Sequence, residues 1–340
     1  MAENWRGFNR SSALTKAALR PHLTRMQDNS AAASRTLTTR FAALPGNVRG
    51  ATWILFGSLF FTIMVTLIKD VGDRLPISEI LLVRQSVMFL VALPVLIRYF
   101  PQSIVTHHPW HHAARIFLAL IAMFAGFTAV VHLPLADATA IGFAKSFFIT
   151  IFAIVFLREV VGLRRWAATI VGFLGVLIML RPSAAGIDFY GMLAVIGAAA
   201  AGLVMILIRF LSRHDQPITI LTYQVVFVGL LVAPLAIVEW VWPTPAEWLI
   251  LAGVGLVSVA GQTCNIRAFA AGEATAIAAL DYMRLIWAMA IGFAVFTEIP
   301  SLTTLAGAGL VLAASLYTVH REARRGQELA RSPAGRGYTT

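Results

Sequence analysis

ADATAIGFAKSFFITIFAIVFLRE (residues 136–159) and GEATAIAALDYMRLIWAMAIGFAVFTE (residues 272–298) decide the fold. Each opens on a small residue, an acid and Ala-Thr-Ala-Ile, and each closes on glutamate. Between those ends lie about twenty largely apolar positions, the length of a membrane span. Each also carries charge where a membrane helix should have none: Lys145 in the first, Asp281 and Arg284 in the second. Ala138 matches Ala274 and Lys145 matches Asp281 at a common offset of 136, so the two charges hold the same slot. Ionisable groups near mid-bilayer in two related helices read as a site at a repeat interface, and therefore as a transporter.

The duplication extends further. LIKDVGDRLPISEILLVRQSVMFLVALP (67–94) resembles LIRFLSRHDQPITILTYQVVFVGLLVAP (207–234), setting Lys69 against Arg209, Gln85 against Gln224 and Pro94 against Pro234 at offsets of 139 to 140. The repeat unit is five spans, and an odd number of crossings inserts the second copy upside down.

Composition agrees. The chain is 59% hydrophobic with 13% charged residues, against roughly 25% in a soluble chain, and its mean hydropathy is +0.78. Ten apolar runs are expected at 50–68, 80–97, 113–131, 136–157, 162–180, 189–208, 218–238, 248–271, 274–296 and 302–319. No alternation in segments of about ten residues points to a β-barrel. Connections are short except 98–112, which favours helical hairpins packed side by side.

With ten spans and the N-terminus inside, 21 of the 27 Lys and Arg residues fall on the inner side. They are the two tails plus Arg98, Arg115, Arg158, Arg164, Arg165, Arg209, Arg213 and Arg267. Outside stand Lys69, Arg74 and Arg181, as the positive-inside rule predicts for cytoplasmic termini. The net charge of +11 therefore reflects topology rather than nucleic-acid binding, which needs the cations on one soluble face. Cys264, the single cysteine, excludes an intramolecular disulfide. Residues 1–49 form a basic tail, read as disordered and cytoplasmic, with an organellar transit peptide as the alternative. Residues 50–181 and 188–319 form the two repeats, and 320–340 a second basic tail.

Ten spans in two five-span repeats, with glutamates closing the fourth and ninth, resemble the drug/metabolite transporter superfamily in its EamA-domain branch. The runs that carry the resemblance are LREVVGLRRWAATIVGFLGVLIMLRP (157–182) and FTEIPSLTTLAGAGLVLA (296–313). It implies an all-α fold with a central cavity lined largely by the third, fourth, eighth and ninth spans, and alternating access between the halves. It implies no enzyme. Similar members move amino acids, nucleotide-like metabolites, vitamins or drugs, in either direction, with riboflavin, S-adenosylmethionine and amino acids all open as cargo.

Lys145 lies roughly 13 to 15 Å into its helix at 1.5 Å per residue, and a mid-helix charge costs about 2.5 to 3.5 kcal/mol on insertion scales. Something must offset it: an anionic substrate group, or an ion pair with Asp281. Asp281 and Arg284 share a helix face, so the three together hold a net charge near +1 that suits an anion or zwitterion. Asp281 is also the proton-coupling candidate. Further substrate-binding candidates are Arg84 (alternatively reaching the outer interface), Gln85, Tyr282, and the polar stripe Gln262 and Asn265, which alternatively bonds neighbouring helices. His132 is expected at an outer helix end without function, and Glu159 and Glu298 as structural ties.

The run His107-His108-Pro109-Trp110-His111-His112 invites a metal reading, but Pro109 disfavours helix before it and spoils the His108–His112 pairing. No metal or cofactor is expected, and no phosphate loop, HExxH or nucleophile elbow is present. The expected protein is a multi-pass carrier of a small polar metabolite in the bacterial inner membrane. Its partners are the metabolite and the lipid bilayer, with a homodimer open. The alternatives are a lipid scramblase or flippase, or an intramembrane enzyme.

Overall fold

The computed structural model describes residues 45–157, 163–180, 188–271, 280–314 and Tyr317. Arg158, Glu159 and Arg181, the GEATAI opening of the second motif, the side chains of Arg164 and Arg165, most of the first tail and all of the second lie outside the described residues. The described residues form helices and short connections, with no strand among them. In chain order these are α1 (Gly46–Gly72), α2 (Ile77–Arg98), α3 (Pro109–His132), α4 (Leu135–Gly142), α5 (Lys145–Leu157) and α6 (Leu163–Leu180). The second half gives α7 (Phe189–Leu211), α8 (Pro217–Val238), α9 (Pro245–Ala271), α10 (Met283–Phe296) and α11 (Leu302–Ala314). All ten expected runs hold helix, and seven spans, α4–α5 taken as one, are long and apolar enough to cross a membrane.

Proline sets where the helices begin. Pro45, Pro76 and Pro134 immediately precede α1, α2 and α4, while Pro109, Pro217 and Pro245 are first residues of theirs. At such positions the missing N–H is not needed and the fixed φ is already helical. Asp188 caps α7 by accepting from the Gly191 N–H at 2.8 Å. Pro94 and Pro234 sit inside α2 and α8, each removing one helical hydrogen bond at equivalent places in the two halves.

The fourth expected run is interrupted rather than continuous. At its centre Phe143 N–H donates to Ala140 C=O, Ala144 N–H to Ile141 C=O, and Phe147 N–H to Ala144 C=O. These three-residue closures replace the four-residue ladder and divide α4 from α5. The ninth run has the same irregularity, with Tyr282 in a turn immediately before α10. Both interruptions adjoin the charged slot.

The most extensive packing joins opposite halves: α1 lies against α9, and α3 against α7. These two pairs exchange under the repeat, as an inverted duplication requires. Glycines admit the close approach in both. Gly57 of α1 meets Gly261 and Cys264 of α9, while a methyl at Gly197 of α7 would lie 3.0 Å from the Gly126 backbone nitrogen of α3. Helices α2 and α8 pair with each other. Exposed Trp110 at one end of the bundle and Trp242 at the other occupy the places of interfacial aromatics.

Each end of the bundle is tied by loops. At the arginine-poor end Arg74 pairs with Glu247, Ser78 Oγ donates to Glu239 Oε2 at 2.8 Å, and Val241 N–H donates to Glu79 Oε2 at 3.1 Å. At the arginine-rich end Asp215 accepts from Thr106 Oγ1 at 2.7 Å and pairs with His112 Nε2 at 2.8 Å. Tyr223 OH donates to Ile104 C=O there. Burial pushes the Asp215 carboxyl up, but the Thr106 and His112 bonds outweigh it and hold the group below the ordinary carboxylate value.

Gly175 of α6 and Gly307 of α11 make a backbone-to-backbone crossing. A methyl at Gly307 would stand 2.5 Å from the Gly175 carbonyl oxygen, whereas one at Gly309 would meet nothing within 4 Å. Gly307→Ala is therefore expected to destabilise by about 1–3 kcal/mol, the range for overpacking, and Gly309→Ala to be neutral. Thermal unfolding in detergent, followed by monodispersity, distinguishes the two.

Candidate functional site

Lys145 is the first residue of α5, placed at mid-bundle by the break after Gly142. Across from it, Arg284 in the first turn of α10 donates to Asp281 Oδ1 at 2.9 Å, and the pair is about a quarter exposed. The Arg284 guanidinium also lies over the Phe61 ring of α1 at 4.9 Å. Lys145 is within electrostatic range of both Arg284 and Asp281, yet its ammonium makes no hydrogen bond among the described residues. Gly202 of α7 closes the back of this turn, where a methyl would lie 3.0 Å from Phe148 Cβ and 3.4 Å from the Lys145 carbonyl. The structure thus brings Lys145, Asp281 and Arg284 into one electrostatic group with a surplus positive charge.

Two donors on α10 are unused. Arg284 Nε and Trp287 Nε1 are buried with no acceptor among the described residues, and three-residue spacing puts them on the same face of α10. Tyr282 packs its ring on Phe143 at 4.7 Å, so aromatic side chains from α1, the α4–α5 junction and α10 flank the charges. Trp287 was not singled out from the sequence. Its signal is a tryptophan three residues beyond an arginine inside an expected span.

The other candidates lie elsewhere. Arg84 does not reach for the interface: it is 8% exposed, donating to Ser258 Oγ and Gln85 Oε1, both at 3.0 Å, with Phe127 beneath it. Gln85, 1% exposed, donates to the Gln224 carbonyl. Gln224 Oε1 in turn accepts from Arg115, which also donates to the Ile220 carbonyl. Arg115 therefore does not belong with the cytoplasmic loop cations. Because α3 begins at Pro109, Arg115 is buried within the helix at 2% exposure. This chain of side chains joins α2, α3, α8 and α9, and no hydrogen bond or ion pair among the described residues links it to Lys145, Asp281 or Arg284.

Gln262 is exposed and Asn265 half-buried on α9. His132 stacks on Tyr190 at 3.9 Å at the helix end. In the histidine-rich segment His112 is taken by Asp215, while His111 stacks on Phe210 and His108 lies edge-on to His214. No group of three metal-binding side chains occurs among the described residues. A cavity of about 480 Å³ between α2 and α8 is lined by Phe89, Leu93, Leu96, Ile97 and Thr222 among others, with no charged side chain in its wall. Glu298 ties helix ends as expected: its Oε1 is 2.5 Å from Lys69 Nζ, and its Oε2 accepts the Leu135 N–H at 2.7 Å.

Comparison with known proteins places this arrangement among transporters. A family model described as the EamA-like transporter family matches residues 48–181 and 189–319. A riboflavin transporter of Rhizobium johnstonii is 30% identical over 82% of this chain and 93% of its own length. An S-adenosylmethionine uptake transporter of Rickettsia prowazekii is 25% identical over 82% and 95%. A pseudopaline exporter of Pseudomonas aeruginosa is 28% identical over 78% and 94%. A crystal structure with 17% sequence identity superposes with a TM-score of 0.56 over 82% of this chain and 98% of its own, a likeness of fold alone.

The electrostatics of the trio give opposite expectations for its members. Asp281→Asn leaves two cations facing each other and should lower the melting temperature. The loss should be smaller than the roughly 3–5 kcal/mol of a fully buried pair, because this pair is partly exposed. Lys145→Met removes the surplus charge and should leave stability unchanged or raised. Thermal unfolding of the two variants in the same detergent measures both.

Proposed function

Because the chain belongs to the EamA-like transporter family, we propose that its metabolite is anionic or zwitterionic and is held between Lys145 and Arg284. The protein is a multi-pass transporter of the bacterial inner membrane and not an enzyme. What supports the substrate reading is the surplus of positive charge where Lys145 meets the Asp281–Arg284 pair, with Arg284 Nε, and Trp287 Nε1 one turn further along α10, buried without an acceptor among the described residues. A carboxylate or phosphate supplies the acceptors these groups lack.

Asp281 balances Arg284 and keeps the empty site from carrying two unopposed cations. It is also the acid best placed to exchange a proton as the substrate arrives. Phe61, Phe143, Tyr282 and Trp287 give the site aromatic walls, which favour a cargo with a flat ring system beside its anionic group. Relatives that carry riboflavin and S-adenosylmethionine support a nucleotide-like or vitamin cargo ahead of a plain amino acid.

The arginine-rich end faces the cytoplasm, by the positive-inside rule, and the site opens alternately to either side as the halves rock. Helices interrupted beside the site are what a rocking transporter uses to present backbone and side-chain groups to its cargo.

The test is a panel of metabolites screened by thermal shift on the purified protein, followed by flux of each hit in liposomes with and without a pH gradient. Lys145→Ala or Arg284→Ala should cut flux at least tenfold, about 1.4 kcal/mol of lost binding, and Asp281→Asn should remove the response to the gradient. If Lys145→Ala combined with Asp281→Ala transports like the unaltered protein, the pair is structural and the assignment fails.

A further inference from the structure

We infer that Lys69, Glu298 and the first turn of α4 form the extracellular gate of the transport path. This rests on the transporter reading above and adds the device that closes one side of the site. Lys69, near the end of α1, donates to the Leu133 carbonyl and pairs with Glu298 Oε1. Glu298, just beyond α10, accepts the Leu135 N–H with its other oxygen. One carboxylate therefore joins three chain segments from both halves of the protein.

Position gives this cluster its role. Helix α4 runs from Leu135 to the break before Lys145, and α10 holds Arg284 in its first turn and ends two residues before Glu298. The latch ties the far end of α10, which carries Arg284, to the start of α4, which leads into Lys145 at the head of α5, so these segments cannot part on this side while it holds. Its three bonds have fixed directions: the carboxylate takes an N–H at the start of α4, where the helix dipole also favours an anion, and the ammonium takes a carbonyl. Lys69 and Glu298 side chains are 12% and 21% exposed, so water competes weakly for these bonds, and the Phe296 ring covers the ammonium at 5.3 Å. Ordinary helix-end capping needs only the Glu298–Leu135 bond; the cross-half ion pair is what a gate adds.

The same geometry makes the latch directional. Exchanging the charges would face a lysine at 298 with the Leu135 N–H, donor against donor, and a glutamate at 69 with the Leu133 carbonyl, acceptor against acceptor. A plain ion pair would survive that exchange; this latch should not.

Distance measurements between spin labels read the gate directly and without substrate. In a Cys264→Ala background, labels at His132→Cys and Ile299→Cys, both exposed, straddle it. The unaltered latch should give one dominant short separation. Lys69→Met or Glu298→Ala should raise the long-separation fraction roughly tenfold, as loss of one charge-assisted contact allows. The double exchange Lys69→Glu with Glu298→Lys should stay open. Gly292→Ala offers a milder variant that keeps both charges, since its methyl would press within 3.3 Å of Glu298 Oε2, and it should shift the distribution in the same direction. Distributions unchanged in all of these folded variants, or full closure in the charge exchange, overturn the gate. Either result leaves the substrate site to be judged separately by the flux of Lys145 and Arg284 variants.

Discussion

A cation inside hydrocarbon has to be answered by something, and how this chain answers each of its buried cations organises the molecule. Arg84 is met by a serine hydroxyl and a glutamine oxygen, and Arg115 by a glutamine oxygen and a backbone carbonyl. Arg284 is met by Asp281. Alone among these four, the Lys145 ammonium has no hydrogen-bonding partner among the described residues. Neutral acceptors fix Arg84 and Arg115 within the wall between α2, α3, α8 and α9, where they hold helices together. The trio at the helix breaks is left one anion short, and that imbalance is what the proposed substrate site rests on.

The inverted repeat supplies the frame around these charges. Helix pairs α1–α9 and α3–α7 are symmetry mates built on close glycine contacts, so each half grips the other twice through similar surfaces. The two ends use different chemistry for the equivalent job. The arginine-poor end closes with Arg74–Glu247, Glu79 and the Lys69–Glu298 pair, while the arginine-rich end closes with His112–Asp215 and the hydroxyls of Thr106 and Tyr223. Related helix arrangements thus carry unlike contacts at the two ends of the bundle.

The fold was legible because its signals are written in spacing: apolar runs, prolines at equivalent offsets, and a charge repeated in one slot. The trio was legible for the same reason, since ionisable residues are so rare in spans that each one stands out. Trp287 was not, because an aromatic in an apolar run looks like packing until its N–H is seen without an acceptor. Arg115 looks interfacial in the sequence because it stands two positions into an expected span, and only the earlier helix start at Pro109 buries it. The interruption of the fourth span was hidden as well, since Gly-Phe-Ala-Lys carries no proline and the break depends on what surrounds the helix. Glu298 is the reverse case: its placement at a helix end was read correctly from sequence, but its partners, 229 and 163 residues away, belong to the tertiary structure.

The most direct test of the central claim is a map of the protein bound to a transported metabolite. The anionic group of that metabolite should lie within hydrogen-bond distance of Lys145 Nζ and of Arg284 or Trp287. A bound cargo that leaves Lys145 facing acyl chains, or sealed away in a closed corner apart from Asp281, would contradict it.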